Sequence, residues 1–246
     1  MKRHNNAELR LDDIVGESSA LKRALELTMR AATSDATVLV FGERGSGKEL
    51  ISRAMHRVSM RRNNSFVTVT CAAAGLPLAK ELFGESVKKP GLLELADGGT
   101  LFVDEISELP PDLQPRLLEV LERREFQRPG SSMVRVNVRF IVATRYDLEK
   151  LVADGRFRRD LYHQLKASSI RIPSLRERCD DIPLLAHYFV QKFSRRVNKN
   201  IRFIPPEVRQ ALIERDWPGN VRELENFIER SVGLTQGATL LVPPEY

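Results

Sequence analysis

The apolar residues of this chain alternate between two patterns. Short apolar or β-branched runs, typical of strands buried on both faces, occupy residues 38–41, 66–70, 101–103, 138–144 and 169–173. Stretches with apolar residues three or four positions apart, typical of helices, lie between these runs. This alternation predicts an α/β fold with a doubly wound parallel sheet.

The pattern becomes purely helical after about residue 174. Three apolar stripes at helical spacing follow, formed by Leu185, Tyr188, Phe189 and Phe193, by Val208, Ala211 and Leu212, and by Val221, Leu224, Phe227, Ile228 and Val232. The turn sequence Trp217-Pro218-Gly219-Asn220 separates the last two stripes. We therefore predict an α/β subdomain over residues 1–173 and a small all-helical subdomain over residues 174–246.

A glycine-rich segment directly after the first strand is the most specific motif. Its order of strand, glycine loop and helix is that of a P-loop, in which glycines let backbone N–H groups surround a phosphate chain. The helix start adds unpaired donors, and Lys48 can reach the terminal phosphates. The alternative is an ordinary turn before a surface helix. The predicted nucleotide-binding residues are Gly42, Glu43, Arg44, Gly45, Ser46, Gly47, Lys48, Glu49 and Leu50.

Two acidic residues end the strand over residues 101–103. A buried parallel strand meets solvent or ligand at its carboxyl end, where Asp104 and Glu105 stand. Beside a P-loop, Asp104 can orient the ligand shell of Mg²⁺, and Glu105 can polarise a water for attack on the γ-phosphate of ATP. Two solvated acids in a turn are the alternative, which the P-loop makes the weaker interpretation.

Composition and charge change this picture little. The 246 residues suffice for a sizeable core, and 42 % hydrophobic with 29 % charged residues is ordinary for a globular protein. Cys71 and Cys179 lie far apart and are expected to be reduced thiols of a cytoplasmic protein. The sequence shows no membrane-spanning run and no signal-peptide pattern. The net charge of +6 is compatible with nucleic acid, with a nucleotide, or with plain solvated arginines.

The sequence contains five motifs in the order GERGSGKE, LFVDEI, FRRDLY, IPSLRER and WPGNVREL. Together they closely resemble the motifs of the AAA+ domain of bacterial sigma-54-dependent transcriptional activators. The resemblance covers nearly the whole chain, from about residue 11 to residue 246. It implies a Rossmann-like ATPase core with a helical lid, assembled as hexameric or heptameric rings with ATP and Mg²⁺ between subunits. It also implies remodelling of sigma-54 RNA polymerase, contact with DNA only through domains outside this chain, and no membrane.

The resemblance also assigns roles to single residues. Lys48 matches the P-loop lysine, and Asp104 with Glu105 matches the second acidic motif, in which Asp104 holds the metal. Arg158 matches an arginine finger that reaches the γ-phosphate of a neighbouring subunit. Arg222 matches the lid arginine that contacts the nucleotide of its own subunit. The catalytic set implied by the family is therefore Glu105, Asp104 and Arg158, and Arg222 joins the nucleotide-binding set.

The sequence departs from the family pattern at four places. Glu49 is not one of them, because the family also has Glu after the P-loop lysine. The Gly-Ala-Phe-Thr-Gly-Ala loop that contacts sigma-54 is replaced by a shortened loop over residues 85–91. Gln164 stands in place of a second arginine, and Thr70 in place of the Asn that holds the catalytic glutamate in check. Arg145 follows Ala-Thr where Asn or His is common. We therefore expect a low hydrolysis rate and an altered contact with sigma-54.

Three functions remain to be compared. The first is a ring-forming ATPase in transcription control, which the intact Asp104, Glu105 and Arg158 favour. The second is a module that binds ATP and oligomerises with little hydrolysis, independently of sigma-54, which Gln164 and the shortened loop favour. The third is a basic nucleic-acid binder, for which only the net charge speaks because the sequence shows no DNA-reading motif.

Overall fold

The structure is a computed structural model that describes residues 14–73, 77–86, 88–128 and 133–243. The outermost residues of the two predicted subdomains, and Val87 in the shortened loop, lie outside the described residues. Contacts divide the described chain into two compact units. The first holds residues 25–42 and 48–171, and the second holds residues 14–24, 43–47 and 172–243.

A parallel sheet forms the centre of the first unit. The strands of the chain are β1 (Val38–Phe41), β2 (Phe66–Thr70), β3 (Thr100–Asp104), β4 (Glu125–Gln127), β5 (Met133–Arg135), β6 (Arg139–Thr144) and β7 (Ser169–Arg171). Five of them pair in the order β2-β3-β6-β1-β7, and every pairing in this sheet is parallel. The predicted α/β fold with a parallel sheet is confirmed. The other two strands, β4 and β5, pair antiparallel in a separate two-stranded sheet.

The helices mostly lie where the apolar spacing predicts them. They are α1 (Ser19–Ala32), α2 (Lys48–Arg57), α3 (Pro77–Phe83), α4 (Leu92–Leu95), α5 (Gln114–Arg123), α6 (Leu148–Ala153), α7 (Arg159–Lys166), α8 (Ile182–Arg196), α9 (Pro206–Glu214) and α10 (Asn220–Leu234). The two prolines at 110 and 111 suggest a helix start, because proline is favoured in the first helical turn. The helix begins one turn later: Leu113 N–H donates to Pro110 C=O, and α5 starts only at Gln114.

Strand order brings three strand ends to one edge of the sheet. β6 lies between β1 and β3, and Phe41 is level with Thr144 across the β1–β6 pairing. Gly42 N–H donates to Thr144 C=O at 3.1 Å, so the residues after β1 and β6 stay close. Because parallel strands all end at the same edge, the segments that begin at Gly42, Glu105 and Arg145 share it. This edge is where ligands bind in open α/β sheets.

The second unit is built around the helices α8, α9 and α10. Its core contains Trp217, which is fully buried, packs edge-on against Phe227 with ring centroids 5.6 Å apart, and donates from Nε1 to Leu212 C=O at 2.7 Å. An indole N–H that is buried needs such an acceptor, since an unpaired one costs free energy. Most residues of the predicted helical stripes therefore contribute to one apolar core, whereas Tyr188 and Ala211 are exposed and were wrongly assigned to it.

A buried carboxylate fixes the start of α1 within the second unit. Asp181 is fully buried and accepts hydrogen bonds from the backbone N–H groups of Glu17 and Ser18 and from the Ser18 hydroxyl, at 2.7–2.9 Å. Gly16 is required beside it, because a Cβ at this positive φ would lie 2.8 Å from a carboxylate oxygen of Asp181.

In the described part of the chain, no helix combines the length and the apolar character that crossing a membrane requires.

Candidate functional site

The carbonyl groups of the glycine loop all point towards protein donors. Gly42 C=O accepts from Lys48 Nζ at 2.9 Å, and Glu43 C=O accepts from Ser46 N–H at 3.3 Å. The next three carbonyls, of Arg44, Gly45 and Ser46, accept from the Asn220 side chain, the Arg222 N–H and the Arg178 guanidinium. Carbonyls held this way leave the opposite side of the loop to N–H groups, which is the arrangement that binds an anion.

Two glycines are needed for the course of this loop. Gly45 and Gly47 have φ values of +77° and +106°, which residues with a Cβ rarely adopt. A Cβ at Gly45 would lie 2.1 Å from Gly219 C=O, whereas a Cβ at Gly47 would meet open space. The Ser46 hydroxyl is buried and has no hydrogen-bond partner within the part of the chain that the structure describes. An orphaned donor beside open space fits a bound phosphate group.

The Glu43 side chain is not directed at a phosphate. Its carboxylate forms a two-pronged ion pair with Arg176 and accepts from Asn220 Nδ2 at 3.1 Å. These two partners lower the pKa of Glu43, and the Arg176 hydrogen bonds contribute most. Glu43 therefore fastens the loop to the rest of the second unit. The sequence predicted only the position of Glu43 in the motif, because Arg176 lies 133 residues further along the chain.

Asn220 is the residue on which this fastening depends. It is fully buried, starts α10 with a positive φ of 54°, and uses both ends of its amide. Its Oδ1 accepts from Leu175 N–H at 2.7 Å, while Nδ2 donates to Glu43 and to Arg44 C=O. Asn tolerates the left-handed conformation better than most residues and supplies donor and acceptor together.

In the first unit, Lys48 and the two acids come together as expected from the strand ends. Lys48 Nζ lies 3.8 Å from Glu105 Oε1, and both side chains are nearly buried. The pKa of Asp104 is raised by burial and by the charge of Glu105, and Lys48 only partly offsets this. Two close carboxylates in a half-buried place favour a cation that neutralises them. Asp104 and Glu105 are therefore suited to a hard cation such as Mg²⁺.

Glu105 has an uncommon backbone and a second cationic neighbour. Its φ and ψ of 53° and 52° are left-handed, a conformation that is uncommon for residues other than glycine, asparagine and aspartate. The Arg145 N–H donates to Glu105 Oε2 at 3.3 Å, and Arg145 Nε lies 3.8 Å from the same oxygen. The sequence singled out Arg145 only as a departure from the family pattern. It could not show this contact, which joins two strand ends 40 residues apart.

Two further predicted residues, Arg158 and Glu49, lie on exposed surfaces. Arg158 is exposed and pairs with Asp160 through hydrogen bonds of 2.5 and 3.0 Å, which raise the pKa of Arg158 and lower that of Asp160. Arg159 and His163 line the same open groove of about 460 Å³. Glu49 is exposed on α2 and pairs with Arg53 at 2.8 Å.

Arg222 contributes a backbone contact to the loop, and its side chain is exposed. Leu50 is half-buried on α2. Thr70 is exposed at the end of β2, level with Asp104 of β3. Gln164 is exposed on α7. Among the described residues, no group of three or more metal-ligating side chains forms a complete protein cage. A cation held through Asp104 alone would thus need ligands from nucleotide and water.

A five-stranded parallel sheet with a P-loop after β1 and two acids ending β3 defines a P-loop nucleotide-binding protein of the AAA+ type. A family model described as "Sigma-54 interaction domain" matches residues 14–171, and one described as "AAA+ ATPase lid domain" matches residues 176–243. The chain therefore belongs to the sigma-54 interaction domain family, and the family resemblance of its sequence motifs is confirmed.

Relatives with known names agree with this assignment. The chain is 48 % identical to the formate hydrogenlyase transcriptional activator FhlA of Escherichia coli strain K12, over 96 % of this chain and 36 % of that protein. It is 45 % identical to the transcriptional regulatory protein ZraR of Salmonella typhimurium strain LT2, over 91 % of this chain and 53 % of that protein. The chain thus spans about a third to a half of the length of these curated relatives.

Solved structures show the same fold. NtrX from Brucella abortus in complex with ATP superposes with a TM-score of 0.89 at 36 % identity, over 94 % of this chain and 54 % of that chain. NtrX from the same organism in complex with ADP gives a TM-score of 0.88 at 35 % identity, over 94 % of this chain and 55 % of that chain.

The hydrogen bonds of Asn220 make a first prediction about stability. Asn220→Gly is expected to lower the free energy of unfolding by about 1–3 kcal/mol, because Leu175 N–H and Arg44 C=O lose their partner. Asn220→Ala is expected to cost about 1 kcal/mol more, because a Cβ is unfavourable at positive φ. Urea unfolding of the full chain followed by circular dichroism measures both.

A matched control for these variants is Asn198→Gly. Asn198 has a similar φ of 52° but is exposed, so its substitution should change the free energy of unfolding little. Equal effects at both positions would contradict the role given to the Asn220 amide.

Proposed function

We propose that this chain is the ATP-binding and ATP-hydrolysing AAA+ module of a bacterial transcriptional regulator, acting as a ring oligomer in the cytoplasm. The observation that carries the proposal is the pairing of Lys48 with Glu105 at 3.8 Å beside Asp104, at the edge of the sheet where the glycine loop begins. This is the charge arrangement that phosphoryl transfer needs, with a cation for the phosphates and carboxylates for metal and water.

In this proposal the glycine loop and the start of α2 hold ATP. The buried Ser46 hydroxyl and the open space at Gly47 support a bound phosphate, as does the orientation of the loop carbonyls. Arg222 would contact the nucleotide as well, and we place the subdomain boundary between residues 173 and 174. The nucleotide-binding residues proposed are Gly42, Glu43, Arg44, Gly45, Ser46, Gly47, Lys48, Glu49, Leu50 and Arg222.

Hydrolysis in this proposal depends on three side chains. Asp104 would hold Mg²⁺, which would neutralise charge on the phosphates. Glu105 accepts a hydrogen bond from the attacking water and orients it. Arg158 serves a neighbouring subunit, which its exposure permits, and it must leave Asp160 to do so. Glu43 supports the site indirectly, because its carboxylate is committed to Arg176.

The partners follow from the same proposal. A ring of identical subunits, hexameric or heptameric, would complete each site, and RNA polymerase or a sigma factor would be the target. DNA would be bound only through other domains of a longer protein, and no membrane would take part. An ATP-binding module with little hydrolysis is the second candidate, which the uncharged Gln164 on α7 favours.

Nucleotide binding is tested by Lys48→Ala in the full chain. We expect calorimetric titration with ATP or ADP to show no measurable binding, because the phosphates lose their main cation. The exposed Lys150→Ala, on α6 of the same unit, is the control and should bind as the wild type does. Unchanged affinity of Lys48→Ala would remove the proposed function.

A site shared between subunits is tested by mixing two inactive variants. Arg158→Ala and Glu105→Gln proteins should each hydrolyse ATP slowly, since an arginine finger is worth about 10³–10⁵ in rate. Mixing them should restore part of the activity, because each variant supplies the group that the other lacks. Steady-state turnover across protein concentration is the measurement, and a monomer with full activity would contradict the shared site.

The shortened loop after Phe83 stands where the family resemblance places the loop that contacts sigma-54, so it bears on whether sigma-54 is the target of this chain. Its described residues form a small charged turn, in which Glu85 pairs with Lys80 at 3.0 Å and with Lys89 at 3.2 Å. A backbone bridge between Ser86 and Lys89 closes the turn. Charged groups that are already paired and solvated are costly to bury in an apolar contact.

We therefore predict that purified sigma-54 forms no stable complex with this chain. Size-exclusion chromatography with ADP and a metal fluoride, which together mimic the transition state of hydrolysis, is the measurement. A nucleotide-dependent complex that co-elutes would show that this loop, or another surface, still makes the contact. FhlA of Escherichia coli can serve as the positive control, because it is a named activator of the same family.

A further inference from the structure

Arg145 occupies the one strand end between the P-loop and the acidic strand. It follows β6, which pairs with β1 on one side and with β3 on the other. Strand order therefore places Arg145 between the carboxyl ends of β1 and β3. The role of this arginine is not explained by nucleotide binding or by the fold.

Arg145 contacts Glu105 in two ways at once. Its backbone N–H donates to Glu105 Oε2 at 3.3 Å, and its Nε lies 3.8 Å from the same oxygen. The Arg145 side chain is about one-third exposed and lies over the Tyr146 ring at 4.7 Å, whereas the Glu105 side chain is 12 % exposed. The Glu105 side chain is therefore the more enclosed member of the pair.

Both oxygens of the Glu105 carboxylate then face a cation of the protein. Oε1 faces Lys48 at 3.8 Å, and Oε2 faces Arg145. A bound phosphate chain attracts Lys48 and so releases Oε1. Oε2 stays engaged, because Arg145 is not part of the P-loop. A carboxylate held in this way is less able to orient a water for attack.

A second acid competes for the same arginine. Glu108 Oε1 lies 3.6 Å from Arg145 Nη2, on the short 3₁₀ helix (Ile106–Glu108) that follows Glu105. The two glutamates share one guanidinium, so weakening one contact strengthens the other. Thr70, level with Asp104 on the neighbouring strand, is short and uncharged and adds no third cation.

We propose that Arg145 is a positioning residue that holds Glu105 in a resting state and limits the rate of hydrolysis without affecting nucleotide binding. The inference rests on the proposed ATPase function. Hydrolysis would then accelerate when Arg145 swings towards Glu108 or solvent. Arg145, which follows β6, would restrain Glu105 from one side of β3, whereas Thr70 ends β2 on the other side of β3.

The test is the sign of three substitutions on steady-state ATP hydrolysis. Arg145→Asn should raise kcat about two- to fivefold, the size expected for loss of a partly exposed ion pair, with KM for ATP unchanged. Arg145→Lys should stay closer to the wild type, because it keeps the charge. Glu108→Gln should lower kcat, because Arg145 is then left to Glu105 alone. The calorimetric Kd for ADP should stay the same in all three variants.

A measurement that does not depend on ATP hydrolysis distinguishes failure of this inference from failure of the proposed function. In the absence of nucleotide, Arg145→Asn and Glu105→Gln should shift the thermal midpoint non-additively, since the two residues are in contact. An unchanged or lower kcat for Arg145→Asn would overturn the inference, as would additive midpoints. A wild-type chain that fails to bind ATP would instead overturn the proposed function.

Discussion

Backbone carbonyl groups cannot be left without partners, and this requirement organises the nucleotide loop. Five successive carbonyls, from residue 42 to residue 46, each accept a hydrogen bond from a defined donor. Only one of these donors, the Ser46 N–H, belongs to the loop itself. The others come from Lys48, Arg178, Asn220 and Arg222, so residues outside the loop hold its backbone in shape.

The sequence predicted the elements on which this site stands, because their signals are local. Apolar runs and helical spacing placed the strands of the sheet, and the glycine pattern placed the loop. The turn at residues 110–113 and the short helices α4 and α6 were not predicted. Two prolines at 110 and 111 mimic a helix start, and a helix of four to six residues has too few positions to show a period.

The long-range contacts that position the side chains of the site could not be predicted from the sequence. Glu43 with Arg176, and Glu105 with Arg145, join residues 133 and 40 positions apart, and no spacing rule connects such residues. The only sequence signal at Arg145 is its departure from the family pattern. Arg158 differs from these residues, because its partner Asp160 stands only two residues away. The arginine-finger interpretation instead predicted a partner in a neighbouring subunit.

The burial of Trp217 has a consequence for how the molecule can be observed. It is the only tryptophan of the chain, it lies in the second unit, and its indole N–H is bonded to Leu212 C=O. Light absorbed at the red edge of the protein spectrum therefore excites one ring in one place. Its emission maximum reports the exposure of the helical core to water, whereas the first unit, which holds Lys48 and Glu105, contains no tryptophan and contributes nothing to this signal. The protein thus contains its own unlabelled probe for one half of its structure.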